Sequence, residues 1–273
     1  MTAYSSFRDG RLPRAAAGFT LVEIAIGIAL ITLLLGSLLV PLQTQVESRK
    51  ISDTEKILEN AREALIGYAA ANGRFPCPAS SSSNGLESFS TSPVGTTANG
   101  ICSNFFDGFL PAATLGFTPI DSSGYALDSW GFSTNRIRYA VSNQTVNTIA
   151  NPFTATGTTT AGMKAATITS IAAANLLYVC ASGTGVVAGT SCGTAVKLTD
   201  NTPVVIWSVG ANGATGGTST DEVQNPNPNG GSADKIFVWH TPSTVSGAEF
   251  DDIMTWIAVG NLASRLFAAG QLP

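Results

Sequence analysis

The pattern of apolar and polar positions separates one long apolar stretch near the N-terminus from the rest of the chain. From Phe19 to Leu42 the side chains are almost all apolar, and Glu23 is the one charged residue. From Ile24 onward, 19 residues pass without a charge, enough for a helix rising about 1.5 Å per residue to cross a bilayer core of about 30 Å. Arginines before the stretch favour a cytoplasmic N-terminus. We therefore expect residues 19–42 to span a membrane once.

The next stretch predicts that the same helix continues beyond the apolar residues. Between residues 46 and 71, apolar side chains recur at helical spacing on one face, while charged and amide side chains lie opposite. Asn72-Gly73 is typical of a helix C-terminus. We predict one N-terminal helix over residues 19–73, whose second half presents its apolar face to a sheet.

The remaining 200 residues, from position 74 to 273, are punctuated by glycine, serine, threonine and asparagine. Short apolar runs at 136–142, 175–181, 203–209 and 235–240 predict β-strands. Residues 210–231 predict a long exposed loop. Residues 249–269 predict a C-terminal helix with Asp251 and Asp252 in its first turn, where carboxylates complement the helix dipole. The expected fold class is α+β, with an antiparallel sheet laid on the long helix.

The chain has four cysteines, Cys77, Cys102, Cys180 and Cys192, and no two of them form a C-x-x-C motif. With a single histidine, a zinc site is not expected. An even number of cysteines in an exported chain favours disulfides, and four cysteines allow three pairings. Short loops favour Cys77–Cys102 and Cys180–Cys192. The alternative is buried free thiols.

Charge and motifs exclude several classes of function. Only 12% of residues are charged and the net charge is −4. The first 18 residues carry three arginines and one aspartate, a balance of +2, so the rest of the chain carries −6 and nucleic-acid binding is not expected. No nucleophile elbow accompanies His240, and no glycine-rich phosphate loop is present, so we do not expect an enzyme. Asp200, Asp221 and Glu222 stand near predicted turns and are weak candidates for calcium. Solvated turn carboxylates are the alternative, and no cofactor is expected.

The residues Gly18-Phe19-Thr20-Leu21-Val22-Glu23 resemble the cleavage and methylation motif of type IV pilins and type II secretion pseudopilins. The resemblance implies that an inner-membrane prepilin peptidase cuts after Gly18 and methylates the new terminus at Phe19. It also implies that Glu23 pairs with the N-terminal amine of a neighbouring subunit during assembly. A carboxylate inside an apolar helix costs about 2.5–3.5 kcal/mol on insertion scales, and we expect its partner to lie on another chain.

A second resemblance lies in the middle of the chain. Asp128-Ser129-Trp130-Gly131, followed by Arg138-Tyr139, is similar to a pattern in the loop and first strand of pseudopilins. The family usually has Asp-Pro before Trp-Gly, and Ser129 departs from that pattern.

The resemblance implies a pilin fold and a structural filament subunit, a minor or large pilin. We expect a cleaved leader at 1–18, the helix at 19–73 and an exported globular domain at 74–273. The location implied is a bacterial inner membrane, crossed once with the N-terminus in the cytoplasm and the domain in the periplasm, then a filament. Expected partners are other pilin subunits, prepilin peptidase, the inner-membrane assembly platform and membrane lipid. The alternatives are a type II secretion pseudopilin and, from another class, a membrane-tethered periplasmic binding protein.

Overall fold

The computed structural model describes residues 18–228 and 230–272, without the side chains of residues 35–43. The predicted leader therefore lies outside the described residues, apart from Gly18. The chain divides into two compact units, Met1–Ser48 and Arg49–Pro273.

Helix α1 covers Leu21–Asn72, a total of 52 residues. It ends where the sequence predicts, because Gly73 takes a left-handed φ of +69° and its N–H donates to the carbonyl of Ala69 at 2.8 Å. In the part of α1 after Arg49, buried residues recur every three or four positions at Leu58, Ala61, Leu65 and Ala69. This spacing lets one stripe enter the core while charged residues stay in solvent.

Nine short strands and four further α-helices follow α1 in the described residues. The strands are β1 (Gly108–Phe109), β2 (Arg138–Val141), β3 (Leu177–Cys180), β4 (Lys197–Thr202), β5 (Val204–Ser208), β6 (Ile236–Val238), β7 (Ser243–Val245), β8 (Ala248–Phe250) and β9 (Ile253–Ile257). The helices are α2 (Ala112–Leu115), α3 (Gly162–Ala166), α4 (Ile168–Ala172) and α5 (Val259–Ala268), with a 3₁₀ turn at Glu222–Gln224. The four predicted strands correspond to β2, β3, β5 and β6.

The strands form three sheets rather than the single predicted antiparallel sheet. Strands β1-β2-β5-β9 form an antiparallel sheet, and β7-β8 form a hairpin. Strands β4-β3-β6 form another sheet, in which β3 and β6 run parallel. A parallel pair cannot be made by a tight hairpin, and a long crossover joins β3 to β6 here.

The four-stranded sheet is buried on both faces. Its central strands β2 and β5 are buried along their whole length, which explains why strands of this sheet are runs of mostly apolar residues in the sequence. On one face, side chains such as Tyr139 and Ile206 share a core with the buried stripe of α1 and with α5. On the other face, Val205 and Trp207 pack with Leu177 and Phe237 of the three-stranded sheet. The unit from Arg49 onward is therefore layered as helices, sheet and sheet.

The predicted C-terminal helix over 249–269 is wrong in its first half. Residues Ile253–Ile257 form strand β9, paired with β5 from Val204↔Ile257 to Ser208↔Ile253. An apolar run buried on both faces has no clear period, so helix and strand cannot be separated from its pattern alone. Only α5 is helical, and Asp251 and Asp252 lie before β9 rather than in a helix turn.

The predicted fold class also requires correction at the N-terminus. Across residues 18–228 and 230–272, no helix combines the length and the apolar character needed to span a bilayer. The chain is α+β, but a pilin fold with a membrane-spanning first half on one antiparallel sheet is contradicted. The single-pass inner-membrane location is contradicted by the same finding.

Candidate functional site

The N-terminal motif forms a helix cap made by the chain itself. Glu23 Oε2 accepts bonds from the Thr20 amide at 3.3 Å and the Thr20 hydroxyl at 3.2 Å, while Thr20 Oγ1 accepts from the Glu23 amide at 3.3 Å. This reciprocal arrangement is a capping box, which satisfies N–H groups left free at a helix start. Glu23 therefore has hydrogen-bond partners within its own chain, and its expected pairing with the amine of another subunit stays a prediction. The spacing Thr20-x-x-Glu23 is the sequence signal for this cap.

The side chains after this cap are large, apolar and exposed. Exposed fractions run from 52% at Ile24 to 84% at Leu21. The set comprises Phe19, Leu21, Val22, Ile24, Ile26, Ile28, Leu30, Ile31 and Leu33. At about 100° per residue these positions point in every direction around the helix. We call residues 19–33 the apolar segment. Contiguous exposed apolar surface of this extent marks a site of interaction.

Both predicted disulfides are present. Cys77 and Cys102 are joined with Cα atoms 5.3 Å apart, and Cys180 and Cys192 with Cα atoms 5.6 Å apart. All four cysteines are buried. The first bond joins the segment after α1 to the segment before β1, and the second connects the end of β3 to the loop before β4. The cross-links therefore fix loop-rich regions that have little regular structure of their own.

The second motif folds as a turn centred on Asp128. Its Oδ1 accepts from the amides of Trp130 and Gly131 at 2.9 Å and 3.3 Å, and Gly131 takes a φ of +74°. Asp128 Oδ2 accepts from Asn135 Nδ2 at 2.9 Å and from Ser208 Oγ at 2.6 Å. Burial raises the pKa of Asp128, and these bonds oppose that shift. The aspartate thus connects the turn to strand β5.

The three candidate calcium residues serve separate local roles. Asp200 forms an ion pair with Lys197 on strand β4. Asp221 accepts from Ser182 Oγ at 2.9 Å and from the Gly183 amide at 2.6 Å. Glu222 is buried and accepts from Asn212 Nδ2 at 2.9 Å. In the part of the chain that the structure describes, no group of three or more His, Cys, Asp or Glu side chains is placed to hold a metal ion.

His240 has a structural environment in the second unit. Its Nε2 lies 3.0 Å from Asp221 Oδ2, its Nδ1 lies 2.8 Å from the carbonyl of Thr241, and its ring stacks on Phe250 at 4.0 Å. Ser182 also bonds to Asp221, through the other carboxylate oxygen. Ser182 and His240 therefore both bond to the Asp221 carboxylate. Among the described residues, no hydrogen bond joins Ser182 to His240 directly.

A buried acidic cluster that the sequence did not reveal joins the loop after β5 to the chain before β9. Glu222 is 2% exposed and Asp252 is 4% exposed. The Asp251 amide donates to Glu222 Oε1 at 3.1 Å, and Asp252 Oδ2 accepts from Asn225 Nδ2 at 2.7 Å. Glu222 Oε2 and Asp251 Oδ1 are buried and have no hydrogen-bond partner within residues 18–228 and 230–272.

The two aspartates of this cluster hold protons more tightly than ordinary carboxyls do. Burial, with the neighbouring Glu222, raises the pKa of Asp251 to about 7. Burial also raises the pKa of Asp252 well above its ordinary value. The loop predicted to be exposed is thus tied into the interior through Glu222 and Asn225.

Comparisons with known proteins found no matching family model, no matching curated protein and no matching solved structure. The pilin-like assignment consequently rests on the residues of its two motifs.

Proposed function

We propose that this chain is a structural subunit of a type IV pilus-like filament, processed by a prepilin peptidase. The observation that carries the proposal is the apolar segment, residues 19–33, whose large side chains are exposed on all sides of a helix. The motif at Gly18–Glu23 begins one residue before this segment and includes its first five residues. Copies of the same segment, side by side, supply matching apolar surface in every direction.

The magnitude of the apolar effect is sufficient for assembly. Fully burying a Leu, Ile, Val or Phe side chain contributes about 1.5–3 kcal/mol, so nine of them contribute up to about 14–27 kcal/mol per subunit. Association costs about 4–15 kcal/mol in lost freedom of motion. A helix bundle that buries most of the segment is therefore favourable without any contribution from the second unit.

Glu23 has capacity for a partner in addition to Thr20. Its Oε2 receives both bonds from Thr20, which leaves Oε1 available to a positive charge. Cleavage after Gly18 would create such a charge at the amine of Phe19, while Thr20 and the helix cap would be retained. Within a bundle of low dielectric constant, the attraction between Glu23 and that amine is stronger than in water.

The cleavage step is tested by Gly18→Leu, with the chain produced in a bacterium that has a prepilin peptidase. A Cβ at Gly18 meets no atom of the described part of the chain within 4 Å, so we expect the larger side chain to leave that part of the fold unchanged and to affect processing. We expect intact mass measurement to find the uncleaved chain, and the unaltered protein to begin at methylated Phe19. The control is Ala17→Leu, which changes size beside the junction and should still be cleaved.

Two results would contradict the proposal. One is normal cleavage of the Gly18→Leu chain. The other is a cleaved chain that stays monomeric at micromolar concentration in aqueous buffer and forms no filaments under the electron microscope, since exposed apolar surface of this size should drive association.

A second candidate is a pseudopilin of a type II secretion system. The turn at Asp128–Gly131 favours it, because the aspartate and glycine shared with that family are the residues that make this turn. Deletion of the gene separates the candidates: loss of surface filaments supports the pilus subunit, and loss of protein secretion with filaments intact supports the pseudopilin.

A further inference from the structure

A pocket of about 490 Å³ opens beside strand β1, in the second unit. Its volume is within the range of about 300–1,000 Å³ that is typical of small-molecule sites. One wall is the serine-rich turn after Cys77, another is the chain after Cys102, and the turn at Pro228 completes the rim. The lining includes three serines, an ion pair and an aromatic ring, contributed by Ser80, Ser81, Ser103, Asp107, Phe109 and Arg138.

The walls of the pocket are preformed. The Cys77–Cys102 disulfide joins the two chain segments that carry the serines. Ala79 and Phe109 exchange two backbone hydrogen bonds of 2.9 Å, and Ser103 Oγ donates to the Ser88 carbonyl at 3.1 Å. A site held in this way loses little conformational freedom when it binds a ligand.

Arg138 and Asp107 form an ion pair in the pocket. The Arg138 side chain is 8% exposed and its Nη1 donates to Asp107 Oδ1, while the Asp107 side chain is 33% exposed. The Nε of Arg138 is without a hydrogen-bond partner, and Nη1 to Asp107 is the guanidinium's one hydrogen bond among the described residues. The pocket therefore presents a fixed donor group beside a fixed acceptor group, and the two charges cancel.

The other lining groups add hydroxyls and an aromatic ring. A serine hydroxyl can donate and accept a hydrogen bond, and the Ser103 hydroxyl, which donates to Ser88, keeps its capacity to accept. The Phe109 ring contributes apolar surface, and its centroid lies 5.0 Å from the Arg138 guanidinium carbon. An anion would face Asp107, and a cation would face Arg138. A purely apolar ligand would bury the ion pair without replacing its water, which is costly.

We propose that this pocket binds a neutral sugar unit of a glycan. A sugar carries vicinal hydroxyls that can accept a hydrogen bond from Arg138 and donate one to Asp107 at the same time. Its C–H groups form an apolar surface that can pack against the Phe109 ring. Neutral charge avoids repulsion from either member of the ion pair. Sugar binding of this kind is independent of filament formation, since the pocket lies within the second unit.

The test uses saturation-transfer NMR on the full chain. The neutral probes are glucose, galactose, mannose and N-acetylglucosamine, and the charged counterparts are glucuronate and glucosamine. We expect transfer to at least one neutral sugar, with at least fivefold weaker binding of both charged counterparts. Absence of transfer to all four neutral sugars, or equal binding of glucuronate, would overturn the proposal.

Two variants locate the binding in the pocket. Ser81→Trp fills the pocket from its rim, and we expect at least tenfold weaker sugar binding. Ser82→Trp is the matched control, because Ser82 is an exposed neighbour outside the pocket lining, and it should bind as the unaltered chain does. Equal binding by the two variants would place the sugar elsewhere and overturn the proposal. Asp107→Asn removes the repulsive charge, so the preference should shift toward glucuronate, a change that a purely structural role would not produce.

Discussion

Two regions of helix α1 use apolar residues in opposite ways. In residues 19–33, large apolar side chains such as Leu21 and Leu33 are exposed on every side of the helix. In residues 49–72, apolar side chains such as Leu58 and Leu65 are fully buried on one face, and charged residues occupy the other. The first region is more apolar, yet only the second contributes to a core of this chain.

The difference shows that period, rather than apolar content, decides what a helix does within its own chain. A stripe of buried residues at three- and four-residue spacing matches one surface, and the sheet supplies that surface. A helix that is apolar all round needs surroundings that are apolar all round. No single sheet supplies them, and under the proposed assembly neighbouring copies of the helix would supply them.

The largest expected effect tests the proposed role of the first region, residues 19–33, in filament assembly. Glu23→Ala removes the acceptor for a neighbouring Phe19 amine, and we expect at least tenfold lower incorporation into filaments, measured by quantitative immunoblotting of sheared filaments. Cleavage after Gly18 should continue. The control is Glu47→Ala, since Glu47 is also exposed on α1. Unchanged incorporation of the Glu23→Ala chain would remove Glu23 from the assembly mechanism.

A pair of matched leucine substitutions would sharpen the comparison between the two regions. Leu65 is 0% exposed and Leu33 is 72% exposed. Leu65→Ala should lower the free energy of unfolding by about 3–4 kcal/mol, because it leaves a cavity. Leu33→Ala should change it by less than about 0.5 kcal/mol, as surface substitutions do. Both are measured by urea unfolding followed by tryptophan fluorescence. Similar losses in the two variants would contradict the comparison.

The disulfides should affect only the second unit, Arg49–Pro273. Replacing Cys180 and Cys192 together by alanine opens a loop of 12 residues, and replacing Cys77 and Cys102 opens one of 25 residues. The chain-entropy account gives about 3 kcal/mol of lost stability for each. We expect that loss in urea unfolding of the second unit. The reference is the helical circular dichroism of a peptide covering residues 19–48, which contains none of the four cysteines. Stability within about 0.5 kcal/mol of the unaltered protein would show that the loops are held without the cross-links.

The smallest expected effect concerns the buried carboxylates of the second unit. The pKa of Asp251 is raised to about 7 in the fold, against about 3.9 in an unfolded chain. The folded state therefore holds the proton more tightly, so its stabilising effect is complete below about pH 4 and is lost as the pH rises through 7. Allowing for partial exposure, we expect stability to fall by roughly 2 kcal/mol between pH 5 and pH 8.

Asp251→Asn should remove most of this pH dependence and make the protein more stable at pH 8. The matched control is Asp53→Asn, since Asp53 is exposed on α1 and pairs with Lys56 at 2.8 Å. Urea unfolding at pH 5, 6, 7 and 8 provides the measurement. A slope that is the same in Asp251→Asn and in the unaltered protein would exclude Asp251 as its source.

Much of the local structure was predictable from the sequence alone. The end of α1 at Asn72, the buried stripe at Leu58 and Leu65, and the two short disulfide loops depend on neighbours within a few dozen residues. The cap between Thr20 and Glu23 is equally local, and the three-residue spacing carries its signal. Helical period, capping and loop closure act over short distances along the chain, which is why sequence patterns report them.

Tertiary structure alone decided the arrangement of the sheets and the state of the buried acids. Residues Ile253–Ile257 became strand β9 because β5 offered a free edge with both faces covered, and an apolar run without a period carries no sign of that edge. Glu222 and Asp251 are 29 residues apart, and the raised pKa of Asp251 depends on the burial that brings them together. The pKa of a carboxyl is set by the groups that surround it in space, and those groups come from distant parts of this chain.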